Sequence, residues 1–326
     1  MIRDNKQACF ILPLVLALLT GLSNNGFAQQ ETEYLVAKDG SGDFTNIQAA
    51  IDDSKSYPYE RITIFIKNGV YKEKVKVHSW NPNISLIGES KEKTIITYDD
   101  YFDKVDRGRN STFHTYTLLV DGNDFHAENL TIKNSAGPVG QAVALHVEAD
   151  RVSFENCRFL GNQDTIYLAG EGARHYFNNC YIDGTTDFIF GSSTAVFEDC
   201  TLHSKKNSFI TAASTPQSES FGFVFLDSKL TAEANVDSVY LGRPWRKYAQ
   251  TVFINTYMGD HIVPEGWDNW GDESNEETVF YAEYNSQGAG AFLDERVDWS
   301  EILSEDQAQK YILNNIFGDW EPNLRK

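Results

Sequence analysis

Along this chain an asparagine or aspartate returns inside the same apolar frame, at Asn129, Asn156, Asn179, Asp199, Asp227 and Asn255. The spacings are 27, 23, 20, 28 and 28 residues. Two positions earlier stands Ala127, Phe154, Phe177, Phe197, Phe225 or Phe253, and three positions later Ile132, Phe159, Ile182, Leu202, Leu230 or Met258. Side chains on a strand alternate with a period of two, so apolar residues at −2, +1 and +3 cannot share one face of one straight strand. A bend at the Asn or Asp resolves the conflict, because these side chains tolerate the left-handed backbone region. Short strands separated by bends at this period predict the coils of a parallel β-helix. Each coil buries its apolar face against the next, so the core is a column. A β-sandwich with coincidental spacing is the competing architecture.

The ends of such a column need covers, since open strand edges invite aggregation. Asp43 to Lys55 has helical spacing at Ile47, Ala50 and Ile51, after a turn at Gly40-Ser41-Gly42. Ser300 to Ile316 has helical spacing at Ile302, Leu303, Ala308, Tyr311 and Ile312, with Ser304 and Gln307 suited to a capping box. These two segments are predicted to be capping helices. The insertions Tyr98 to Thr112 and Gly259 to Ser274 are predicted to be loops flanking a groove.

The first 28 residues fall outside the repeat. Arg3 and Lys6 precede an apolar run from Ala8 to about Leu22, and Gly26-Phe27-Ala28 places small residues at −3 and −1 of a cleavage site before Gln29. Residues 1–28 therefore read as a secretory signal peptide and 29–326 as one β-helix domain, exported to the periplasm or the medium with no membrane attachment after cleavage. Among 326 residues, 41% are hydrophobic, enough for a large core and incompatible with a disordered chain. The net charge of −19 argues against a nucleic-acid partner, since phosphate binding needs a basic face. Nothing resembles a dimer seam, so a monomer is expected.

Cys157, Cys180 and Cys200 hold one phase of three successive repeats and should stack in a line. An exported chain meets an oxidising compartment, which permits a disulfide. The expected pair is Cys180–Cys200, with Cys157 a buried thiol; three small core residues is the alternative. No CxxC pair is present and the seven histidines are scattered, so no metal site and no cofactor are expected.

The repeat also serves as a ruler for chemistry. Asp164 lies eight residues after Asn156, and Asp187 eight after Asn179. The two acids hold one phase of adjacent coils about 4.8 Å apart, so one pKa should rise while the other stays low. That arrangement supplies one nucleophile or base and one general acid. Counted the same way, Asn207 follows in the next coil, which makes the acids a pair. Gln163 precedes Asp164, and Gln141 lies in the coil below; neutral amide donors beside carboxylates suit a developing oxyanion. Arg243 could hold one aspartate ionised through a charge-assisted hydrogen bond.

These residues carry a family resemblance. Asp39-Gly-Ser-Gly-Asp-Phe44, Gly69-Val-Tyr-Lys-Glu73, Gln141-Ala-Val-Ala-Leu145, Gln163-Asp-Thr165, Asp187-Phe-Ile-Phe-Gly191 and Leu241-Gly-Arg-Pro-Trp245 appear in order. Together with Asp298-Trp299 and Phe317-Gly-Asp-Trp320, they make the chain resemble the pectin methylesterases from about Tyr34 to Pro322. The resemblance implies an all-β, right-handed single-stranded parallel β-helix that removes methyl esters from the galacturonate units of pectin. It makes Asp187 the nucleophile, Asp164 the general acid and base, Gln141 and Gln163 the oxyanion donors, and Arg243 the partner of Asp187. Thr117, Gln141, Tyr167, Phe190, Arg243 and Trp245 would contact the methyl-esterified homogalacturonan. Ile166, the Ala169 to Arg174 stretch and Tyr116 depart from the family pattern, and Tyr116 could narrow the groove.

Three other readings keep the same fold: an esterase or thioesterase for a non-pectin substrate, a β-helix pectin glycosidase or lyase, and a non-catalytic carbohydrate binder. Glycosidases also use carboxylate pairs. The two glutamines and Arg243 favour an ester, and the intact acid pair argues against a mere binder. The chain has no GxSxG elbow, and a carboxylate nucleophile needs none.

Overall fold

The computed structural model describes residues 32–322. The expected signal peptide lies outside the described residues. The strands form three parallel sheets, of eleven, eight and seven strands, each holding one strand from nearly every coil. Register is one-to-one up the column: Phe154 pairs with Phe177, Phe177 with Phe197, Phe197 with Phe225 and Phe225 with Phe253. This is the predicted all-β parallel β-helix. Among the described residues, no helix is long and apolar enough to cross a membrane.

The bends fall where the repeat placed them. Asn129, Asn156, Asn179, Asp199, Asp227 and Asn255 all have φ between 49° and 58°, the left-handed region. Asn285 joins them at 52°, a seventh member that the flanking pattern did not reveal. Their side chains also bond up the column, with Asn255 Nδ2 donating to Asp227 Oδ1 at 3.0 Å and Asn285 Nδ2 to Asn255 Oδ1 at 2.9 Å. Inside the bend, the phenylalanines at −2 stack ring on ring at centroid separations of 4.9, 4.7, 4.7 and 4.4 Å. Burial of each such ring contributes about 2–3 kcal/mol.

The amino-terminal cap is helix Ile47–Asp53, which buries Ile47, Ala50 and Ile51 against the first coil. Asn46 accepts from Ala49 N–H at 2.8 Å, and the Glu73 carboxylate accepts from Ile47 and Gln48 N–H at 3.0 Å each. The carboxy-terminal segment differs from its expectation. It divides into a strand at Glu301–Ile302 and short helices at Glu305–Ala308 and Leu313–Phe317, with the Ser304–Gln307 capping box formed. It lies over the outer face of the eleven-stranded sheet, where Val196, Val224, Leu226 and Val252 meet Leu303, Ile316, Phe317 and Trp320. Those outward valines would otherwise face water, so the segment acts as a strap across the side of the column. Arg174 clamps it by donating to Phe317 O and Asp319 Oδ1, both at 2.7 Å.

The cysteines correct another expectation. Cys157, Cys180 and Cys200 stack in line as predicted, but all three are buried free thiols. Side chains of in-register parallel strands point the same way, so stacked sulfurs face the core side by side. Each contacts a carbonyl of the coil below: Ala127 O at 3.6 Å, Phe154 O at 3.7 Å and Phe177 O at 3.5 Å. Burial holds the Cys157 and Cys180 thiols well above their ordinary pKa, which keeps them unreactive. Denatured protein comprising residues 29–326 should titrate three thiols with or without reductant. A count of one without reductant would restore the Cys180–Cys200 bond.

Candidate active site

The seven-stranded sheet carries the chemistry on its outer face. Along it, His146 pairs with Tyr167, Tyr167 with Phe190, Phe190 with Ala212 and Ala212 with Arg243. Just before the strands, the chain turns through Asp164 at φ 63° and Asp187 at φ 49°. Ile166 pairs with Ile189, so the two aspartates hold equivalent positions in adjacent coils. The bends aim both carboxylates away from the core while their backbones stay paired, Asp164 N–H to Thr186 O at 3.1 Å and Asp187 N–H to Phe209 O at 2.8 Å. The residue above Asp187 is therefore Phe209, and the expectation of Asn207 fails because that coil is two residues longer between its bend at Asp199 and this position.

Arg243 donates twice to Asp187, from Nε to Oδ1 at 3.0 Å and from Nη2 to Oδ2 at 2.7 Å. Its guanidinium is held between the Phe209 ring at 4.0 Å and the Trp270 ring at 3.8 Å. Gly242 makes this placement possible: a Cβ there would sit 2.0 Å from Thr211 Oγ1. The strand can thus lie close enough for the next residue to reach Asp187.

Asp164 and Asp187 are 8% and 6% exposed, so neither is a solvated turn residue. Burial drives the Asp164 carboxyl well above the usual range, the Asp187 charge adds to this, and Arg243 opposes it from farther off. Burial also raises Asp187, but there the direct bonds from Arg243 favour the ionised form. Of the two, Asp164 is the member whose surroundings favour the protonated form, and Arg243 makes Asp187 the easier to ionise. In the unfolded chain Asp164 titrates near the ordinary value of about 3.9. Its contribution to stability is therefore complete below that pH and is lost as the pH rises through the higher folded pKa. Asp164→Asn should melt above the unsubstituted protein at pH 7, with the gap closing below about pH 4. Equal melting at both pH values would contradict a buried, proton-retaining Asp164.

A cleft of about 480 Å³ opens over the pair. Gln141, Gln163, Asp164, Asp187, Phe190, Arg243 and Trp245 all line it, as the sequence anticipated. Gln141 and Gln163 sit side by side as a parallel bridge, and Gln141 O also accepts from Phe102 N–H at 2.9 Å. Both long insertions contribute to the lining, Arg109, Asn110 and Thr112 from the first, with Phe113 directly after it, and Trp270 from the second. Two expected substrate contacts are displaced. Thr117 is fully buried and its hydroxyl donates to Lys133 O at 2.9 Å. Tyr167 lies beneath Phe113 at a centroid distance of 4.9 Å, and Phe113 takes its place in the lining. Tyr116 packs in the same aromatic cluster, under the Lys74 ammonium at 4.5 Å, and is not part of the lining.

The sequence reading missed Phe113, Phe209 and Trp270, and the cationic walls Arg109 and Arg246. An aromatic residue within or directly after a polar insertion, as at Trp270 and Phe113, was the available signal. The cleft offers two carboxylates as hard ligands and no histidine or cysteine, and Asp187 is already committed to Arg243.

Two buried carboxylates, one of them bonded twice to an arginine, thus lie beside two glutamines in an aromatic cleft on the side of a β-helix. The Pectinesterase family model matches residues 33–319. Pectinesterase 31 of Arabidopsis thaliana is 41% identical over 285 residues, 85% of this chain and 89% of that protein. The pectin methylesterase structure from carrot has a TM-score of 0.82 and 33% identity, covering 87% of this chain and 92% of its own. The pectin methylesterase PemA from Erwinia chrysanthemi has a TM-score of 0.78 and 31% identity, covering 89% and 98%. A pectin methylesterase in complex with a hexasaccharide gives the same TM-score of 0.78. This chain belongs to the pectinesterase family.

Proposed function

We propose that this protein hydrolyses the methyl esters of galacturonate units in pectin, releasing methanol and leaving the polymer backbone intact. The observation that carries the reading is the Asp164–Asp187 pair, with Arg243 bonded to Asp187 alone. An Asp187 oxygen attacks the ester carbonyl carbon, and the carbonyl electron pair moves onto oxygen, where Gln141 and Gln163 donate hydrogen bonds. Collapse breaks the bond to the methoxy group, which leaves as methanol with the Asp164 proton. The galacturonyl group is then held as a mixed anhydride on Asp187. Asp164, now a carboxylate, takes a proton from water, the hydroxide attacks, and the anhydride opens to free the acid and restore Asp187. The cycle returns Asp164 protonated and consumes only water.

Arg243 keeps Asp187 ionised and aimed. Phe190, Trp245 and Phe113 offer ring faces to sugar rings, while Arg109 and Arg246 give the walls positive charge in an otherwise acidic protein. The leader-like segment before Gln29 fits export to where pectin lies. A pH-stat titration compares substrates: highly methylated homogalacturonan should release acid continuously, and an acetylated glycan should not. Release from the acetylated glycan alone would move the activity to another ester.

A further inference from the structure

Arg243 meets Asp187 with the edge of its guanidinium, Nε and Nη2 each donating to one carboxylate oxygen. That leaves two faces of the planar group to be covered. Phe209 covers one at 4.0 Å and is fixed by the column, in register with Tyr240 and stacked on it at a centroid distance of 5.3 Å. Trp270 covers the other at 3.8 Å, and it comes from the Gly259 to Ser274 insertion.

The insertion is built to keep the indole there. Its backbone is tied to both residues that precede Arg243: Leu241 N–H donates to Gly266 O at 2.7 Å, and Asp268 N–H donates to Gly242 O at 3.2 Å. Trp267 is 1% exposed and stacks on Tyr281 at 4.4 Å, which anchors the segment in the core. Beyond this anchor the chain turns through Trp270 at φ 64°, a left-handed conformation that is an outlier for so bulky a residue. Side chains hold the turn. Asp268 Oδ1 accepts from Trp270 N–H at 2.7 Å, Asn269 Oδ1 accepts from Gly271 N–H at 2.8 Å, and Asn269 Nδ2 donates to Glu276 Oε1 at 2.7 Å. Backbone strain of this kind persists only where its surroundings impose it, and it gathers at functional sites.

We propose that Trp270 is a positioning residue for the reaction: its ring closes the second face of Arg243 and so holds the guanidinium in its twofold bond to Asp187. A guanidinium between two ring faces gains cation–π attraction and sheds the water that would compete for it. Its fork then presents both donors to one carboxylate. Without the indole, that face opens to solvent and Arg243 gains alternative rotamers. Asp187 would lose the direct bonds that oppose the effect of burial, and burial drives its carboxyl upward. The consequence for turnover rests on the proposed ester hydrolysis with Asp187 as nucleophile; the placement of Arg243 does not.

The test compares Trp270→Leu and Trp270→Phe with the unsubstituted protein, each comprising residues 29–326. Both variants should fold, because Trp267 and not Trp270 anchors the insertion, and thermal unfolding checks this. On highly methylated homogalacturonan, Trp270→Leu should lower kcat by about 10²-fold with KM little changed. The acid limb of its kcat/KM profile should move to higher pH, since Asp187 then ionises less readily. Trp270→Phe keeps a ring face and should recover most of the loss in both respects. Phenylglyoxal labelling read by peptide mass spectrometry is independent of turnover. Arg243 should label faster in Trp270→Leu, while Arg246, whose guanidinium lies over the Trp245 ring, keeps its rate. A rise in KM alone, with the pH profile and the labelling unchanged, would make Trp270 a platform for sugar and overturn the proposal. Equal kinetics in all three proteins, or an equal loss in both variants, would overturn it too. Faster labelling of Arg243 in preparations that do not turn over the polymer would uphold the placement and contradict the ester reading alone.

Discussion

Asp187→Ala is expected to lower methanol release by about 10⁴-fold or more while the column remains folded. The side chain projects outward from a bend whose backbone bonds, such as Asp187 N–H to Phe209 O at 2.8 Å, survive the substitution. Arg243 loses its carboxylate but stays held between Phe209 and Trp270, so the cleft keeps its shape. Asp164 loses the neighbouring negative charge that helped raise its pKa, and it remains a weak acid with no nucleophile to serve. The measurement pairs turnover with thermal unfolding. Activity above about a few per cent in a folded variant would remove Asp187 from the nucleophile role.

Gln163→Ala is expected to cost about 10²–10³ in kcat with little change in KM. In the proposed mechanism the amide serves charge that exists only as the ester carbonyl becomes tetrahedral, so its loss should be felt in the transition state and not in substrate binding. The fold should not respond, because Gln163 is tied in through its backbone: its carbonyl accepts from Ala142 N–H at 3.1 Å. Steady-state kinetics of the purified variant decide the matter. A tenfold or smaller loss, or a loss confined to KM, would make Gln163 a binding residue.

Much of this architecture was legible because a β-helix repeats its constraints. Each coil must turn at the same phase, so the six Asn and Asp positions marked the bends, and the phenylalanines before them marked the stacked core. The same ruler set Asp164 against Asp187, since those coils have matching lengths between bend and site. It failed at Phe209, where two extra residues displaced Asn207 from the expected position. Thr117 was misplaced for a local reason: it lies in the bend before strand Leu118–Val120, where it is fully buried and its hydroxyl is taken up by Lys133 O. The cysteines showed that a shared phase predicts stacking and not bonding, since aligned parallel strands present their sulfurs in parallel. Least legible were the insertions. Phe113, Trp270 and Arg109 reach the cleft through loop conformation, which no period encodes, and the cationic walls run against a net charge of −19.

The central claim is ester hydrolysis without cleavage of the polymer, and its most direct test is product analysis with protein comprising residues 29–326 on highly methyl-esterified pectin. Methanol should accumulate with no new reducing ends and no unsaturated uronate. Reducing ends or unsaturated products in its place, or no methanol from a folded, monodisperse preparation, would contradict the account.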